Sequence, residues 1–114
     1  MIKKGLFQGL LAVILTAALG RIQFNGHDET WYNLPMENVI AQAESKGFTE
    51  EWWIRADGCH MYSHYVVVAG NYQVHPYGSI VDTSRGEGIV LDTGSFAKSQ
   101  PQTIDIATIW EKGE

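Results

Sequence analysis

Three groups of residues in this chain have the types and spacing to do chemistry. The first is Ile89-Val90-Leu91-Asp92-Thr93-Gly94-Ser95, in which an apolar strand runs straight into a carboxylate followed by a turn. A carboxylate placed there can accept turn amides, and beside a second carboxylate it can share a proton, because two acids in one groove do not both ionise cheaply. The second group is Cys59, His60, His64 and His75, four residue types that ligate metals. His60 and His64 have the i, i+4 spacing of a helical zinc pair, but they fall in a stretch that reads as turn and strand, where i and i+4 lie roughly 13 Å apart. No metal site is therefore expected, and the histidines read as scattered polar or partly buried groups. The third is Asp105, set between Ile104 and Ile106. Asp is disfavoured inside an apolar strand, so a functional use for it is more pressing than for an acid in a turn.

The rest of the chain must position these groups. It has 114 residues, 8 Lys+Arg against 13 Asp+Glu, and a formal net charge of -5. That length allows one small domain, and 45% apolar residues are enough for a packed core. An acidic balance argues against nucleic-acid binding, since it leaves no cluster to neutralise a run of phosphates. The lone Cys59 cannot form an internal disulfide, and a buried position is expected for it. Two lysines at Lys3 and Lys4 precede a mostly apolar run over residues 6–19, with small residues at Ala18 and Gly20. This pattern predicts an export signal over 1–20, cut after Gly20. The alternative is an uncleaved membrane anchor, although sixteen uncharged residues span only about 24 Å of a roughly 30 Å hydrocarbon core. Either places the domain outside the cytoplasmic membrane, secreted or wall-associated in one case and anchored in the other.

Residues 21–33 show no steady periodicity and read as a polar lead-in. Asn33 then precedes an amphipathic segment over 34–46, with Asn33 as N-cap, Pro35 in the first turn and Gly47 as the closing residue. Met36, Val39, Ile40 and Ala43 make its apolar stripe. Beyond Gly47 the pattern changes to about six short strands. They lie at 52–56, 61–69, 79–83, 89–92 and 103–110, the second containing the β-branched run of a buried strand at 65–69. Asp57-Gly58 suits a type I′ hairpin turn, and Pro76-Tyr77-Gly78 and Arg85-Gly86-Glu87-Gly88 make further turns. A sheet this small must hide its edges, which predicts a closed barrel.

The order of pieces from residue 65 to 110 resembles the 3D domain, named for three aspartates. That domain is found in bacterial cell-wall proteins such as the stationary-phase survival proteins, and the order is also similar to the barrel of the A-type membrane-bound lytic transglycosylases. The likeness rests on Val66-Val67-Val68-Ala69-Gly70-Asn71, on the turn Pro76-Tyr77-Gly78-Ser79, on Asp92-Thr93-Gly94 with Lys98, and on Thr103-Ile104-Asp105-Ile106. Asn71 stands where the family has its first aspartate, and the loop from Asp92 to Asp105 is longer than the common pattern, with Pro101 inside it. The resemblance implies a mainly β fold, a small double-psi β-barrel, with the helix at 34–46 beside it. It implies Asp105 as catalytic acid/base and Asp92 as its charged neighbour. It further implies Asn71, Tyr77, Thr93, Gly94 and Lys98 as substrate contacts, peptidoglycan glycan strands as the partner, and no cofactor. A non-catalytic, peptidoglycan-binding or scaffolding barrel is the alternative. The Asp-Thr-Gly-Ser run is also similar to the catalytic loop of aspartic proteases, which with one copy per chain implies a homodimer. Only about 20 residues follow Ser95, too few for a flap and the closing strands of such a barrel.

Overall fold

The computed structural model describes residues 21–111. The expected export signal over 1–20 lies outside the described residues. The first element is a surprise for the sequence reading. Residues 21–33 are not a polar lead-in, because β1 (Ile22–Phe24) and β2 (His27–Tyr32) form an antiparallel hairpin. Its turn is Asn25-Gly26, both with positive φ (49° and 81°), the combination that matches the twist of two adjoining strands. Helix α1 (Glu37–Ser45) follows. Met36, not Asn33, occupies its N-cap position without a side-chain bond, and the Asn33 amide donates instead to the Trp110 carbonyl at 3.1 Å. Gly47, at φ 93°, takes the chain out of the helix, and the Phe48 amide returns to the Ala43 carbonyl at 3.0 Å.

Six more strands complete the set: β3 (Trp52–Ile54), β4 (His60–Tyr62), β5 (Tyr65–Ala69), β6 (Ile80–Thr83), β7 (Gly86–Asp92) and β8 (Ile104–Ala107), with a helical turn α2 (Phe96–Ser99) before β8. The link between β3 and β4 is not a type I′ turn. Only Gly58 of the Asp57-Gly58 pair has positive φ, and the turn is tied by Gly58 N–H to Arg55 O at 2.8 Å. Gly58 is obligatory for a second reason: a Cβ there would lie 2.6 Å from Trp110 Nε1.

Among the described residues eight strands make one compact, mainly β sheet that does not close into a barrel. It forks at β5. One edge of β5 pairs with β4 through its first residues and with β8 through its last, both antiparallel, while the other edge pairs in parallel with β7. The arms then run β8 to β2 (parallel) to β1, β4 to β3, and β7 to β6. The free edges β1, β3 and β6 are three, three and four residues long. Short edge strands offer little template for pairing with another chain, so closure is not needed to protect them.

Val66, Val67 and Val68 at the fork are fully buried and alternate between two cores. Tyr32, Met36, Ala43, Val67, Ala69, Leu91 and Ala107 lie on one face, under α1. Cys59, Met61, Val66, Val68, Val90, Ile104 and Ile106 lie on the other. Each such aliphatic side chain contributes about 1.5–3 kcal/mol relative to exposure, which anchors the central strand that the site uses. Among the described residues, no helix is long and apolar enough to cross a membrane.

Candidate functional site

The register of the sheet brings the two aspartates to one row. Ala69 of β5 is paired with Asp92 of β7 on one side and with Asp105 of β8 on the other, and Asp105 is paired in turn with Thr30 of β2. Residues directly opposite one another project to the same face. The Cα atoms of Asp92 and Asp105 are two strand spacings apart, about 10 Å. Ala69 stands between them in the row.

This arrangement depends on an irregularity. Val68 pairs with Val90, yet Ala69 pairs with Asp92, so Leu91 is an extra residue in β7. Strict alternation would send Asp92 to the face opposite Leu91. The bulge turns it back, as bulges re-aim single side chains next to functional sites. Consistent with this, Asp92 Oδ2 accepts a 2.7 Å bond from the hydroxyl of Tyr32, a residue of the same core as Ala69 and Leu91. Asp92 Oδ1 accepts the Thr93 amide at 2.8 Å. Asp105 Oδ1 is bonded to the Thr30 hydroxyl at 2.8 Å.

Tyr32 reports on both acids at once. Its hydroxyl pKa is driven far above the ordinary 10, first by burial, then by the charge of and hydrogen bond to Asp92, and then by the charge of Asp105. It is therefore a donor at every physiological pH. Two more phenols line the same neighbourhood. Burial and the Asp92 charge push Tyr72 up to about 12, and the same two causes raise Tyr77. Their rings meet edge-to-face at 5.6 Å, and Phe48 packs on the other side of Tyr77 at 5.6 Å. The Tyr77 hydroxyl is buried with no hydrogen-bond partner among the described residues, and Lys46 Nζ sits 5.0 Å above its ring centre. The Pro76-Tyr77-Gly78-Ser79 turn is held in place because Gly78, at φ 81°, admits Phe48 where a Cβ would lie 2.6 Å from the ring.

The remaining expected contacts are placed differently. Asn71 spends its side chain on the backbone, donating to the Ala97 carbonyl at 3.0 Å and accepting the Gln73 amide at 2.8 Å. It fastens the β5 exit to α2 and has little left for a substrate. Thr93 and Gly94 are exposed in the loop after Asp92, and Lys98 is exposed in the last turn of α2. Cys59 is fully buried, and burial with the adjacent Asp57 charge pushes its thiol up to about 11. Among the described residues no group of three or more His, Cys, Asp or Glu side chains is placed to hold a metal ion. The Asp-Thr-Gly-Ser loop passes into α2 and β8, with Asp92 already bonded to Tyr32 of its own chain.

Sequence reasoning missed Thr30 and Tyr32, because they belong to the hairpin taken for a lead-in. The signal was present in Asn25-Gly26, the strongest short-range hairpin dipeptide, followed by a segment whose Glu29 and Tyr32 are buried. No protein-family model, curated protein or solved structure matches this chain.

Proposed function

We propose that this protein is a 3D-type cell-wall enzyme that cleaves peptidoglycan glycan strands by lytic transglycosylation, acting outside the cytoplasmic membrane. The observation that carries the reading is the row Asp92–Ala69–Asp105–Thr30, which sets two carboxylates on one face on either side of an alanine. The double-psi description of the sheet belongs to the same proposal. Its support is the two parallel pairs, β2 with β8 and β5 with β7, joined through antiparallel β5 and β8.

In this mechanism Asp105 protonates the glycosidic oxygen as the C1–O bond of the muramic acid residue breaks. The C6 hydroxyl of the same sugar then attacks C1 and returns its proton to Asp105, leaving a 1,6-anhydro ring. No water is consumed, so one carboxyl group serves as acid and then as base, where hydrolysis would need two at a set separation. Asp92, fixed by Tyr32 and Thr93, supplies a negative charge on the same face that disfavours ionisation of Asp105. Thr30 orients the acid through Oδ1. The half-buried rings of Tyr72 and Tyr77 stand beside Asp92 as an aromatic wall for the sugar.

The test is the release of anhydro-muropeptides from purified sacculi, followed by mass spectrometry. Asp105→Asn is expected to abolish it, and undiminished release removes Asp105 from the mechanism. A second reading, a glycan-binding or scaffolding member without catalysis, is favoured by Asn71, which replaces an acid and is used up as a backbone clamp. Zymography on whole walls separates the two, since retention without clearing supports the binding module.

A further inference from the structure

Strand β3 ends one arm of the sheet, and among the described residues its outer edge is unpaired. Its pairing with β4 decides which backbone groups that edge presents. The Ser63 amide donates to the Glu51 carbonyl at 2.7 Å and the Arg55 amide to the Cys59 carbonyl at 2.9 Å. These bonds flank the register Trp52–Tyr62, Trp53–Met61, Ile54–His60. Hydrogen-bonded and non-hydrogen-bonded pairs alternate along an antiparallel ladder, so Glu51, Trp53 and Arg55 turn their backbone groups toward β4. Trp52 and Ile54 turn theirs outward, one donor and one acceptor each.

Side chains set β3 apart from the other short edges. Trp53 and Ile54 are 40% and 45% exposed and lie on opposite faces of the strand. Among the described residues β6 exposes one large apolar side chain, Ile80, and β1 none. The Trp53 ring is already fixed, with Nε1 donating to the Ser63 carbonyl at 2.7 Å, so covering it orders little more. The segment is also complementary to itself. When two copies of β3 run antiparallel about a two-fold axis at Trp53, Trp52 of each falls opposite Ile54 of the other. Their outward groups then make four hydrogen bonds. The two Trp53 residues meet as a non-hydrogen-bonded pair, with Cα atoms about 4.5 Å apart and side chains on one face. On that face Glu51 of each copy falls opposite Arg55 of the other, an attractive cross-strand pair. Glu51 is exposed, and Arg55 uses Nε and Nη2 on Asp57 and the Arg85 carbonyl, which leaves Nη1 for a further acceptor. We propose that β3 is a homodimer interface, at which a second copy of this chain adds its own β3 antiparallel across a two-fold axis at Trp53. Three residues are too few to template an open-ended sheet, and a two-fold pair closes on itself, so association stops at two copies.

Sedimentation equilibrium of the full chain from about 5 to about 500 μM tests the pairing, since an interface this small dissociates in the micromolar range or above. The expected result is a mass that rises from that of one chain toward that of two. Trp53→Lys sets like charges against each other at the axis and should hold the chain monomeric throughout. Ile54→Pro should do the same, because it removes an N–H that faces away from β4. Glu51→Lys should weaken the dimer about fivefold. Cross-linking checks the register. Trp53→Cys should oxidise to a disulfide-linked dimer, because its Cα separation falls within the roughly 4.4–6.8 Å that a disulfide spans. Ile54→Cys, which faces Trp52 of the other copy and not itself, should not, and the native Cys59 is fully buried and does not compete. A mass that stays at one chain up to the highest concentration overturns the proposal and leaves the edge to a strand of another protein. A dimer that survives both Trp53→Lys and Ile54→Pro, or cross-links equally well at both cysteine positions, overturns it as well.

Discussion

Two parts of this molecule hold aspartates, and they hold them by opposite means. At the β3–β4 corner, Asp57 is gripped by Arg55 at 2.8 and 3.0 Å and by Arg85 at 3.3 Å, and it accepts the Cys59 amide at 3.2 Å. Arg85 also lies over the Trp110 ring, whose Nε1 donates to the Asp57 carbonyl at 2.7 Å. The Arg55 hydrogen bonds, with the Cys59 amide and the Arg55 charge behind them, hold the Asp57 carboxyl well below the usual carboxylate range. In the acid row hydroxyls stand against both acids, Tyr32 on Asp92, which also accepts the Thr93 amide, and Thr30 on Asp105. A guanidinium pair holds a carboxylate in its charged form down to low pH, whereas a hydroxyl can donate or accept and so tolerates either protonation state. The corner is thus tied by ion pairs, whereas the row carries the hydroxyl contacts that the proposed acid/base role calls for.

Four substitutions test that contrast. The largest effect is expected from Asp105→Asn, which should remove all anhydro-muropeptide release while leaving the circular dichroism spectrum and melting temperature near those of the parent. Gly58→Ala attacks the corner alone. It places a Cβ against Trp110 at a left-handed backbone position and should cost about 2–4 kcal/mol in urea unfolding. Glycan release at low temperature should survive, and a loss of activity without a loss of stability would undo the division between the two regions. Tyr32→Phe removes a buried hydroxyl from a carboxylate and should cost about 1.5–3 kcal/mol, with a smaller fall in glycan release than Asp105→Asn.

The smallest effect concerns pH. The folded-state pKa of Asp57 is depressed, so its contribution to stability is present above the ordinary value of 3.8 and is lost as pH falls below that towards the folded value. Asp57→Asn should therefore lower the urea midpoint at pH 7 by an amount equivalent to about 1–3 kcal/mol. The gap between parent and variant should narrow below pH 4. A gap that stays constant down to pH 2 would mean that the loss in the variant does not come from the charge of Asp57.

Legibility from sequence varied with the kind of interaction. The stripe Met36, Val39, Ile40, Ala43 is a local pattern, and all four residues pack into or against the core under α1. The run Tyr65–Ala69 is β-branched and apolar enough to announce a buried strand. Turns read less well: Asn25-Gly26 was passed over because the hairpin it joins mixes charged and aromatic residues. Edge protection was misjudged, since short edges at β1, β3 and β6 do what closure was expected to do. Asn71 was not legible as a clamp, because its partner Ala97 lies 26 residues away.

What the amino-acid order alone determined is which chemistry is on offer: an acid ending one strand before Thr-Gly, another inside a strand of isoleucines, and phenols in the turns between. Tertiary structure decided that these groups meet. The one extra residue at Leu91 turns Asp92 to the face of Asp105, and the fork at β5 makes Ala69 the neighbour of both. Strand register and bulges arise from pairing between distant segments, so a sequence read along its length carries the side chains but not the side of the sheet on which they stand.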